Sequence, residues 1–61
     1  MTDDLDRLLK TAARELALRE RAYPGWIKAK RMTEPRAREE IQNMRDIVEH
    51  FRRLIRERDA S

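Results

Sequence analysis

Two apolar series, each stepping alternately by four and three residues and separated by a Tyr-Pro-Gly-Trp stretch, set the narrowest limit on the fold. Leu5, Leu9, Ala12 and Leu16 form the first, and Tyr23 extends it by seven; Leu8 and Ala13 widen it. Ala37, Ile41, Met44, Val48, Phe51 and Ile55 form the second, with Ile47 and Leu54 on one flank. A period near 3.5 is that of an α-helix with one apolar face, since a strand repeats every two residues. The pattern predicts an all-α chain with a helix over about 3–22, a turn over about 23–32 and a helix over about 34–58, all in a single domain spanning 1–61.

The boundaries have local reasons. Thr2, Asp3 or Asp4 can cap the first helix, where early acids suit the positive end of the helix dipole. Pro24 is expected to end it, because the residue before a proline is driven out of the helical region, and Gly25 adds freedom. Pro24 can also open a short extra turn through about Lys30. Thr33-Glu34-Pro35 opens the second helix, with either Thr33 or Glu34 as cap. An antiparallel hairpin follows, in which residues whose numbers sum to about 56–60 meet. Leu5 then faces Ile55, Leu9 faces Val48 or Phe51, and Leu16 faces Ile41 or Met44. On the wet face, Arg45–Glu49, Glu49–Arg53 and Arg53–Glu57 have the i,i+4 spacing of helical ion pairs.

Length makes this hairpin insufficient by itself. A chain of 61 residues buries only about 60% of the surface its unfolded form exposes. It has no cysteine to supply a disulfide or a thiolate metal ligand. The second stripe, with Ile47 and Leu54 added, is wider than one neighbouring helix covers. Two-fold pairing of hairpins into a homodimeric four-helix bundle is the expected solution. Ile47, Phe51 and Leu54 are the expected interface, with Ile41 and Ile55 nearby. The longest apolar run is Leu16-Ala17-Leu18, too short for a membrane span or a signal peptide. A cytoplasmic protein is expected.

The net charge of +3 is unevenly spread. Residues 19–38 carry +5, whereas 1–18 carry −1, 39–44 carry −2 and 45–61 carry +1. The basic middle contains the only Tyr and the only Trp, close to Ile27 and Met32. Two readings of this segment stay open. Tyr23, Trp26 and Met32 can plug the open end of the hairpin, or Trp26 can be an exposed anchor inside a basic rim. Twelve Arg against three Lys suit forked recognition of carboxylate or phosphate. Trp26, Lys28, Arg31, Arg52, Arg53 and Arg56 are the expected contact residues for a partner protein.

Catalytic chemistry finds little here. His50 is the only histidine, and Glu39 and Glu40 are adjacent on a helix, so they point about 100° apart. No phosphate loop, nucleophile elbow or metal motif is present. A non-enzymatic binding protein without metal or cofactor is expected. A nucleic-acid-binding protein is the alternative, using the basic centre with Arg36 and Arg38 toward phosphate. The acids interleaved along the second helix count against it.

The stretch Arg19-Glu20-Arg21-Ala22-Tyr23-Pro24-x-Trp26-Ile27-x-x-x-Arg31-Met32-Thr33, then Ala37-x-x-Glu40-Ile41-x-x-Met44-x-x-Ile47, resembles a family. These are small helical proteins of temperate phages and prophages of proteobacteria, among them the quorum-sensing anti-activator type of Pseudomonas phages. The resemblance spans about residues 19–47, close to half the chain, and departs where a glycine is expected near Lys30. It implies a stoichiometric inhibitor of host proteins, such as a LuxR-type transcription activator or a pilus assembly ATPase, and not an enzyme.

Overall fold

A computed structural model describes residues 4–60. Helix α1 spans Asp4–Lys28 and helix α2 spans Glu34–Ala60. Among the described residues there is no strand. The helices run antiparallel, as their ion pairs show: Asp6 meets Arg58, Arg19 meets Glu40 and Glu20 meets Arg45. The all-α hairpin is therefore the observed architecture.

The seam is the one expected from the apolar series. Ala12, Met44 and Val48 are buried together, and Leu9, Leu16 and Phe51 pack around them. Tyr23 and Ala37 are buried nearer the turn. Among the described residues no side chain is completely enclosed, because each helix has a single neighbour.

The turn is shorter than expected, and α1 is longer. The helix does not stop at Ala22 but continues through Pro24 to Lys28. An interior proline removes one backbone bond and crowds the carbonyl four residues back, at a cost of about 3 kcal/mol. Burial on either side of Pro24 opposes that cost. Tyr23 is buried, Ile27 one turn later is half-buried, and the Trp26 ring lies 5.3 Å from that of Tyr23. Large side chains buried this way gain roughly 1.5–3 kcal/mol each. Backbone bonding resumes at once, with the Ala29 N–H donating to the Gly25 carbonyl at 2.9 Å. Residues 29–33 alone connect the helices. Helix α2 runs two residues beyond the expected end at 58. Thr2 and Asp3, considered as caps, lie outside the described residues.

The turn is closed from both sides. The Arg31 N–H donates to the Trp26 carbonyl (2.8 Å) and the Lys30 N–H to the Ile27 carbonyl (3.0 Å). These are the two bonds of a Schellman C-cap, whose left-handed residue is usually glycine. Here that residue is Lys30, with φ 60°. Thr33 caps α2: its Oγ1 accepts from the Arg36 N–H at 3.3 Å, and its carbonyl accepts from the Ala37 N–H at 3.0 Å. The glycine expected near Lys30 is thus needed by the backbone and replaced by a strained lysine. The chain's single glycine, Gly25, lies in the helix without using its freedom, and a Cβ there would meet nothing within 4 Å.

Two substitutions test this backbone reading by thermal melting. Gly25→Ala should stabilise by about 0.5–1 kcal/mol through helix propensity. Lys30→Gly should gain a similar amount of roughly 0.5–1 kcal/mol by relieving the left-handed strain. Each corresponds to a rise in melting temperature of about 3–6 °C. A fall at either position would contradict the assigned cap.

Candidate functional site

Arg19 is the residue that the sequence reading missed. It occupies the seam slot between Leu16 and Tyr23, where the four-and-three spacing leaves a gap. Its Nε donates to Glu15 Oε1 at 3.0 Å, and its Nη1 to the Glu40 carbonyl at 3.1 Å and to Glu40 Oε2 at 3.5 Å. Arg36 reaches the other Glu40 oxygen at 3.3 Å. The hydrogen bond that Arg19 donates to Glu15 is the main cause holding its pKa above the ordinary value, against partial desolvation. The result is a charged layer across an otherwise apolar seam. It fixes the register, because sliding one helix would separate Arg19 from Glu40.

Arg19 also defines the flanks of the hairpin. Because it holds both Glu15 and Glu40, the heptad rows Leu8–Glu15–Ala22 and Glu40–Ile47–Leu54 border the same side. Leu18, Ala22 and Trp26 share a concavity with Glu15 and Arg19 on that side. The opposite flank carries Arg38, Arg45 and Arg52, one heptad apart. Arg45 pairs there with Glu20 at 3.3 Å, and Arg38 borders a hollow with Tyr23, Ile27 and Ile41.

The six expected contact residues fall into two separate groups. Trp26, Lys28 and Arg31 lie at the turn, and the Schellman bond ties Arg31 to Trp26. Arg52, Arg53 and Arg56 lie toward the other end of a molecule 47 Å long. From Glu34 to Arg52 alone is about 27 Å along the helix axis. Arg56 is held by Glu49 at 3.0 Å, and successive positions 52 and 53 point about 100° apart. The expected i,i+4 pairs of Glu49 give way to this bond, and Arg45 reaches across to α1 instead.

The expected interface residues are also divided. Ile47 is exposed and Leu54 half-buried on the Arg19 flank. Phe51 packs into the hairpin's own core, half-buried Ile55 stays on the seam, and Ile41 borders the opposite flank. Trp26 lies against Tyr23 yet stays 45% exposed, so the plug and the anchor readings each describe part of it.

Cations dominate the turn end. Ile27, Lys30, Arg31, Met32, Thr33 and Arg36 line an open concavity of about 510 Å³ with no acid in its wall. Half-buried Ile27 and Met32 give it an apolar floor. Lys28, Lys30, Arg31 and Arg38 form no ion pair with any described residue. His50 is exposed, with its ring 6.0 Å from that of Phe51. Among the described residues, no three acidic, histidine or cysteine side chains are placed to hold a metal, and no helix is long and apolar enough to cross a membrane.

The Glu49–Arg56 bond yields a pH prediction. The hydrogen bond from Arg56 holds the Glu49 carboxyl below its ordinary range. A depressed carboxylate pKa favours the fold above the unfolded value, and that contribution fades as pH falls through the folded value. Arg56→Gln should move the Glu49 titration upward in a carboxyl NMR experiment, with little change in melting temperature because the pair is exposed. An unmoved titration would refute the pairing.

No protein-family model, curated protein or solved structure matches the chain.

Proposed function

We propose that this protein is a small binding regulator that acts stoichiometrically, without catalysis, by covering part of another protein with the turn end of its hairpin. The observation that carries this reading is the run of Lys28, Lys30 and Arg31, which form no ion pair with any described residue, at the turn directly after the half-exposed Trp26. Aromatic anchors next to arginine are the composition of interaction hot spots. The Schellman and Thr33 caps hold Lys30 and Arg31 in a hydrogen-bonded five-residue turn directly after Lys28, which limits the ordering cost of binding. Arg36 in the first turn of α2 adds a cation where the helix dipole disfavours one, and Glu40 compensates it. A partner with an acidic surface next to an apolar residue fits the cationic rim and the Ile27–Met32 floor.

The resemblance across residues 19–47 supports a host bacterial target in the cytoplasm, such as a LuxR-type transcription activator or a pilus assembly ATPase. The exposed side of α2 alternates Arg with Glu and Asp, which favours a protein over a phosphate backbone. Arg52, Arg53 and Arg56 lie too far from the turn to share this site.

Affinity capture from bacterial lysate, with and without nuclease, tests the proposal. A discrete protein partner should survive nuclease, and Trp26→Ala or Arg31→Glu should weaken its capture at least tenfold, with Arg53→Glu unchanged. Capture that disappears with nuclease, and falls steeply between about 50 and 200 mM salt, would replace this reading with nucleic-acid binding.

A further inference from the structure

We infer that the concavity at the turn end binds a small organic phosphate: a phosphate monoester carrying an apolar group. Lys30, Arg31, Arg36 and Thr33 stand there around half-buried Ile27 and Met32, in a hollow of about 510 Å³. That volume is in the range of small-molecule sites. The inference goes beyond the partner surface proposed above and needs no protein partner, although Lys30 and Arg31 belong to both.

Hydrogen-bonding chemistry narrows the ligand. Lysine and arginine side chains offer donors and no acceptor. The Thr33 oxygen already accepts from the Arg36 N–H at 3.3 Å, which leaves its hydroxyl proton to donate. The side chains of this wall therefore answer an acceptor-only group, a phosphate or a carboxylate.

Charge decides between the two. Lys30 and Arg31 form no ion pair with any described residue, and Arg36 is held by Glu40 through its Nε at 3.3 Å. Of the other acids nearby, Glu34 borders the separate hollow that Arg38 shares with Ile27, and Glu39 is the neighbour of Glu40. With all three acids counted, residues 28–40 still carry +2. A phosphate monoester brings between one and a half and two negative charges at about pH 7, whereas a carboxylate or a phosphate diester brings one. The Ile27–Met32 floor suits an organic group that inorganic phosphate lacks.

Lys30 supplies an independent observation. Its backbone is left-handed, with φ 60°, in the slot that glycine fills without strain. Strain of this kind points to a use for the residue that bears it, and the Lys30 side chain lines the concavity.

Amide NMR titration of the purified chain with phenyl phosphate is the test, and its outcome does not depend on whether a lysate yields a partner. Saturable shifts should gather at residues 27–36. Inorganic phosphate, benzoate and the diester diphenyl phosphate should each bind at least tenfold more weakly. Lys30→Gly should weaken phenyl phosphate at least tenfold while raising the melting temperature of the free chain, an opposition that a merely structural lysine would not produce. Arg31→Gln should weaken it likewise with helical circular dichroism intact, and Arg53→Gln should leave it unchanged. An oligothymidylate without a terminal phosphate should fail to displace it. Shifts scattered over the arginines of α2, equal affinity for inorganic phosphate, displacement by the oligonucleotide, or binding indifferent to Lys30→Gly would each overturn the inference.

Discussion

The fold depends on one helix–helix seam. Ala12, Met44 and Val48 carry its centre, and Ala12 and Ala37 are small enough to let the two backbones approach. A hairpin gives each helix a single neighbour, so half of every apolar stripe must look outward. Adding residues at either end would lengthen the rod without enclosing anything. The extended shape, the exposed Ile47 and the absence of any fully enclosed side chain are consequences of that one constraint.

The turn is the other organising element, and it works through backbone geometry. The left-handed turn at Lys30 and the cap at Thr33 reverse the chain within five residues. Such tightness places Lys28, Lys30 and Arg31 beside the start of α2. Their charges suit the negative end of the α1 dipole, but nothing among the described residues neutralises them. The cationic end is therefore a property of how the chain turns, and the apolar flank a property of how the helices pack. The two surfaces adjoin, because Trp26 borders the flank concavity with Leu18 and Ala22, and Arg36 lines the turn concavity while pairing with Glu40.

Most of the fold was legible in the sequence, since the five buried residues, Ala12, Tyr23, Ala37, Met44 and Val48, all belong to the two seam series and the remaining members of those series are half-buried. Pro24 misled because local rules weigh the proline's restriction of the residue before it and not the burial of Tyr23 and Ile27 on either side of it. Arg19 escaped because a charged residue in an apolar periodicity reads as an interruption. The signal was there in part: a gap at the expected slot, a glutamate four residues earlier, and Glu40 at the register position opposite. The candidate site was half legible. Charge by segment located the basic turn, but charge alone could not show that Arg52, Arg53 and Arg56 lie about 27 Å or more along α2 from it. Ile41 and Ile47 were grouped by their hydrophobicity, although six positions along a helix turn them to opposite flanks.

The dependence of unfolding on protein concentration tests the central claim most directly, because one seam per hairpin is held to be too little without a second layer. Thermal melts at about 5 and 500 μM should differ, with the midpoint rising at the higher concentration as mass action requires of a folded dimer. Identical midpoints across that hundredfold range would mean that the lone hairpin carries its own stability, contradicting the account.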